Sequence, residues 1–133
     1  MVLLWTVQPF FMRKLEKMTP EQETNLQAWI DLLNGDYKQC FGTMKLLNRP
    51  HNSGEFGYEE GPFYCPIGLF LDHKAHVIHS VADALVEVAK MTGLSTMEVG
   101  NIMEQNDGGH IAFSKLATQL EYILNERKKH ASV

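Results

Sequence analysis

Gly35-Asp36-Tyr37-Lys38-Gln39-Cys40 and Phe63-Tyr64-Cys65-Pro66-Ile67-Gly68-Leu69-Phe70-Leu71-Asp72 bound the stretch that decides the fold of this chain. Between them the apolar residues from Phe41 to Leu47 give way to Asn48-Arg49-Pro50-His51-Asn52-Ser53-Gly54-Glu55-Phe56-Gly57-Tyr58, a run dense in turn formers. Two apolar ends joined by such a run read as short strands, Thr43 to Leu47 and Phe63 to Cys65, linked by a long loop. Pro66 has no N–H for a ladder but suits the first turn of a helix, so a short helix from Ile67 to Lys74 is expected directly after the second strand. Gly68 inside that helix costs roughly 1 kcal/mol relative to alanine, which is tolerated where another backbone must come close.

On either side the pattern is helical. Thr19-Pro20-Glu21-Gln22 has the cap, first-turn proline and returning glutamine of a helix entrance, and Leu26, Trp29, Ile30 and Leu33 follow as one apolar stripe, with Trp29 as a core anchor. Asn34-Gly35 predicts a left-handed stop. Ser80 caps a helix whose buried side is expected at Val81, Leu85, Val86, Val88 and Ala89, with Gly93 as its end. Ser95-Thr96-Met97-Glu98 is a second capping box, opening a helix to about Gln105, and Asn106-Asp107-Gly108-Gly109 breaks the chain. The last helix, Phe113 to about Lys128, carries Leu116, Ala117, Leu120, Ile123 and Leu124. The whole predicts one α+β domain over residues 19–133, mostly helical, around a small antiparallel β-hairpin or sheet.

Residues 1–18 form an apolar leader or docking segment containing Trp5, Phe10 and Phe11. They lack the charged start and small-residue cleavage site of a signal peptide and are too short to span a membrane. A strand from Val2 to Val7, a segment docked on a second copy in a homodimer, and a leader before a start at Met12 are the readings that remain open.

A length of 133 residues suits one domain with a real core, and 44% apolar with 21% charged residues is the balance of a folded globular chain. A net charge of −4 argues against nucleic acid as the main partner, because that binding is driven by cationic side chains releasing counterions. The basic cluster Arg127-Lys128-Lys129-His130 complements the negative end of a helix dipole. Two cysteines, Cys40 and Cys65, are too few for a disulfide scaffold, and reduced thiols in a cytosol are the expectation.

Trp29 to Gln39, Gly42-Thr43-Met44, Tyr64 to Asp72, Ile102 to Gly108 and Phe113 to Glu121 together resemble a group of small uncharacterised phage and prophage proteins. That group carries a tryptophan helix, a Gly-acid-Tyr-x-Gln turn, a Tyr-Cys-x-x-Gly segment and an Asn-Asp-x-Gly…Phe tail. Pro66 stands where a second cysteine is common in the group, and residues before Pro20 and from His73 to Gly93 have no counterpart. The resemblance covers about half the chain and implies a small viral accessory protein in a bacterial host cytoplasm.

Three constellations bear on chemistry. His73, His76 and His79 step by about 60° along a helix, so two could meet one metal with Asp72 or Cys65 nearby; the structural reading is surface histidines at helix ends. A thiol enzyme would need Cys40 or Cys65 beside a base such as His51 or His110; Cys65 sits in an apolar run and reads as core, leaving Cys40 as the more reactive candidate. The turn Asn106-Asp107-Gly108-Gly109-His110 offers amides for an anion but lacks the preceding strand and the Lys-Ser/Thr of a phosphate loop.

The leading expectation is a non-enzymatic protein that binds a host macromolecule, a defence or regulatory component, through Trp5, Phe10, Phe11, Phe56 and Tyr58. The second is a small-molecule or nucleotide binder with Tyr37, Lys38, Gln39, Asn106, Asp107 and His110 around its ligand, and the third a hydrolase using metal or cysteine. No cofactor and no membrane role are implied.

Overall fold

Thr19 caps helix α1 (Pro20–Leu33) as its sequence dictates: its hydroxyl accepts from Gln22 N, and the Gln22 side chain returns to Thr19 N. This computed structural model describes residues 18–50, 57–76 and 80–131. After α1 come strands β1 (Lys38–Gln39), β2 (Lys45–Pro50) and β3 (Tyr58–Tyr64), then helices α2 (Pro66–His73), α3 (Val81–Thr92), α4 (Thr96–Asp107) and α5 (Phe113–Ala131). The chain is thus an α+β domain, mostly helical, with a small sheet. The apolar start and its Trp5, Phe10 and Phe11 lie outside the described residues.

The sheet is mixed. β3 is central, with β2 antiparallel on one side and β1 parallel on the other. The two-residue β1 carries no apolar alternation and was not expected as a strand. Both longer strands reach further into the loop run than expected, through Asn48, Arg49 and Pro50 on one side and from Tyr58 on the other. Pairing overrides the turn preference of those residues, and a bulge between Leu46 and Asn48 absorbs the mismatch.

Arg49 explains why this polar segment pairs at all. Its guanidinium lies 4.1 Å from the centre of the Phe63 ring, Nε meets Glu59 Oε2 at 3.1 Å, and Nη1 donates to the Gln39 carbonyl at 3.2 Å. One side of the hairpin is therefore roofed by an arginine, while Tyr58, Glu60 and Pro62 face solvent.

Every residue from Pro66 to Leu71 in α2 is buried, so this helix sits in the middle of the others. It packs on α1, α3, α4 and β3, and α1 in turn packs on α3 and α5. Trp29 in α1 is fully buried, tilted against Phe70 at 5.7 Å, and its Nε1 donates to Pro66 O at 3.0 Å. Gly68 serves the close approach its position implies: a Cβ there would run into the carbonyl of Met44. Cys65 caps α2, its sulfur accepting from Gly68 N at 3.2 Å.

Three local expectations need correction. Asn34 and Gly35 do not form a left-handed cap: Asn34 is right-handed, and Gly35 leaves room for the Tyr37 ring instead. In α3 the buried side is Ala84, Val88, Ala89 and Thr92, while Val81, in the first turn of that same face, and Val86, on the opposite side, are exposed. Helix α4 runs past Gln105, and Asn106 and Asp107 form its last turn rather than a break. Gly93, at φ +75°, ends α3 as expected.

Candidate functional site

The polar residues of the opening turn and of the α4 terminus meet at one joint, and backbone arithmetic explains it. The register Lys38 with Phe63 and Gln39 with Tyr64 continues one step further, since Cys40 N donates to Tyr64 O at 2.8 Å. In a parallel ladder the next bond would bring the N–H of residue 66 to Cys40 O, but residue 66 is proline. Asn106 replaces the missing amide, its Nδ2 donating to Cys40 O at 2.9 Å.

The rest of the joint follows from that substitution. Asn106 is 0% exposed, and its Oδ1 accepts from Gln39 Nε2 at 2.6 Å; the same nitrogen donates to Ile111 O at 2.7 Å. Asp107 Oδ1 accepts from Asn106 Nδ2 at 2.9 Å and from Gly42 N at 3.0 Å. His110 stacks on Phe41 with ring centres 4.2 Å apart. Gln39, Asn106, Asp107 and His110 are therefore together, joined by Cys40, which the sequence singled out only as a thiol, and by Phe41, Gly42 and Ile111, which it did not single out. The signal that could have found Cys40 was Pro66 opposite it, legible only once the register is known. Among the described residues no buried side-chain nitrogen or oxygen lacks a hydrogen-bond partner.

Tyr37 and Lys38 lie apart from that joint. Lys38 Nζ donates to Glu60 O at 2.5 Å and lies 5.4 Å from the Phe63 ring centre. Tyr37 stands edge-on to Tyr64 at 6.2 Å and borders a shallow cleft of ≈ 640 Å³ with Ala28, Asp31, Leu32, Gly35, Asp36 and His73. Tyr64 donates to Asp72 Oδ2 at 2.8 Å, with Lys45 3.4 Å from the same carboxylate. Burial, reinforced by the Asp72 carboxylate, pushes the Tyr64 phenol up to about 12.

Both thiols are buried. Burial pushes Cys40 up to about 11, with Cys65 and Asp107 adding to the rise, and burial also pushes Cys65 up against the lowering effect of the Gly68 amide. Both are neutral thiols at pH 7, which is the wrong state for a nucleophile. His73 faces the Tyr37 cleft, His76 lies 3.6 Å from Glu87, and His79 and His51 fall outside the described residues. Among the described residues no three His, Cys, Asp or Glu side chains converge to hold a metal ion. None of the described helices is long and apolar enough to cross a membrane.

No family model, curated protein or solved structure matches the chain. Its chemistry has to be read from its own surfaces. Two large apolar side chains stand out on the hairpin: Leu47, which faces the bulged pair Gly61 and Pro62, is 70% exposed, and Tyr58 is 67% exposed. Phe56, expected beside Tyr58, lies outside the described residues.

Proposed function

We propose that the chain is a non-enzymatic binding protein that engages a macromolecular partner through the outer surface of its β2–β3 hairpin. The observation that carries this reading is the exposure of Leu47 and Tyr58 on a strand pair braced from behind by Arg49. Rigid aromatic and aliphatic anchors on a fixed backbone lose little entropy when a protein pocket closes over them. The neutral thiols and the internally satisfied joint support a binding role over a catalytic one. The resemblance to small phage and prophage proteins makes the partner a bacterial host protein, a defence or regulatory component, met in the cytoplasm.

The test is capture of partners from a bacterial lysate on immobilised wild-type chain and on the double variant Leu47→Ser/Tyr58→Ser. A protein retained by the wild type and lost by the variant is the expected result. Equal retention by both sinks the hairpin assignment.

A second reading, a small-molecule binder, is favoured by the Tyr37 cleft rather than by the joint. Asp31 and Asp36 line it, so a cation with an apolar body suits it better than a nucleotide phosphate. A melting temperature that rises with the concentration of an amine ligand would support it.

A further inference from the structure

We propose that Cys40 and Cys65 form an intramolecular disulfide when the folded chain meets an oxidised small-molecule disulfide, and that this bridge staples the joint between hairpin and helices. The inference is independent of the hairpin-binding reading. It rests on register. The Cys40 N to Tyr64 O bond places Cys40 opposite Cys65 in the parallel ladder, and residues opposite each other in such a pair point to the same face. Paired strands run about 4.8 Å apart, inside the 4.4–6.8 Å that a disulfide spans between Cα atoms.

A second observation agrees. The Cys40 thiol donates to Thr43 O at 3.5 Å, and Cys65 N donates to the neighbouring Met44 O at 3.0 Å, so both cysteines bracket one two-residue segment. Each is 2% exposed and neither is bonded to the other in this structure. They are the two cysteines of the sequence, so an internal bridge has one possible connectivity.

The chemistry balances with glutathione disulfide as oxidant. One protein thiolate attacks a reagent sulfur, forming a mixed disulfide and expelling one glutathione thiolate. The second protein thiolate attacks the protein-bound sulfur, forms the Cys40–Cys65 bond and expels the second glutathione. Two protein thiols are oxidised, the reagent is reduced to two thiols, and the two protein protons end on the leaving groups. With its thiol pushed up to about 11, Cys40 is thiolate in about one molecule in ten thousand at pH 7, so the exchange is slow and accelerates about tenfold per pH unit.

The experiment exposes the folded full chain to glutathione disulfide at pH 9, quenches in acid, alkylates, and reads intact mass and a non-reducing peptide map. Expected is a monomer lighter by about 2 Da, refusing alkylation, with the Cys40 and Cys65 peptides joined. Closing a loop of about 25 residues should raise the Tm by about 10 °C, and Cys40→Ala or Cys65→Ala should each abolish that rise. Two alkylated thiols after an exposure that bridges the guanidinium-unfolded chain would overturn the proposal. So would arrest at a glutathione adduct, a cross-linked dimer without the internal bridge, or a Tm rise that persists in either variant. The wild-type mass and map decide the matter even where a variant fails to fold.

Discussion

Asn106 gives Cys40 O the donor that Pro66 cannot, and it accepts the Gln39 amide while buried at the end of α4. Asn106→Ala would strand the Cys40 carbonyl and one Gln39 bond in a dry joint, a loss of about 2–4 kcal/mol. A fall in Tm of about 10 °C in thermal melts is the expected reading, and a fall under 2 °C would show that water replaces the side chain without penalty. Protons act on the same neighbourhood. Cys40 and Tyr64 both titrate higher in the folded chain than their ordinary 9.0 and 10.0, so the native state holds protons that the unfolded chain releases. Their contribution is complete below pH 9 and disappears as pH rises through about 11 and 12. Melts from pH 7 to 12 should show Tm level to pH 9 and then falling. A Tm that rises above pH 9 would contradict the burial of both groups. From sequence alone, Asn106 reads as a helix stop or a ligand-turn residue and not as a donor to Cys40, because its partners lie 66 and 67 residues away in the chain.

At the scale of elements, what was legible is what is local. Both capping boxes close within four residues, so Thr19 and Ser95 could be placed without any tertiary knowledge. The extent of the face that α3 buries could not, since Val81 has the helical spacing of Ala84, Val88 and Thr92 yet is exposed in the first turn, where packing and not period decides. Side chains of α1 also finish α3: Gln22 Nε2 donates to Lys90 O and Asn25 Nδ2 to Met91 O, satisfying carbonyls near its C-terminal end. The basic tail cluster proves more specific than a dipole complement. Arg127 Nη1 donates to Gly93 O at 3.1 Å and Nη2 to Glu98 Oε1 at 2.6 Å, the same oxygen that accepts from Ser95 N. One guanidinium from α5 thus clamps the turn between α3 and α4. Ser95→Ala and Arg127→Ala should each cost about 1 kcal/mol, the arginine being partly exposed. Because they share Glu98, the double variant should miss additivity by about 0.5 kcal/mol or more in urea titrations; strict additivity would mean the clamp and the cap act separately.

Across the whole molecule, the helices were readable from period 3.6 and the hairpin from its two apolar ends, but the mixed sheet was not. A two-residue parallel strand such as β1 has no sequence period; from outside the ladder Arg49 bonds its Gln39 carbonyl and Asn106 the carbonyl of the adjoining Cys40. If the hairpin binds as proposed, the same architecture separates stability from recognition. Trp29 joins α1 to the start of α2 through its ring and its bond to Pro66 O, whereas Leu47 and Tyr58 touch mostly solvent. Trp29→Phe should therefore lower stability by about 1–3 kcal/mol, through a lost hydrogen bond and a partly filled cavity, while the folded fraction keeps its partner. Leu47→Ser/Tyr58→Ser should move stability by less than about 0.5 kcal/mol and lose the partner. Urea midpoints and lysate capture, measured on both variants, decide it. If the hairpin variant unfolds as early as the tryptophan variant, Leu47 and Tyr58 belong to the core's support and the binding surface lies elsewhere.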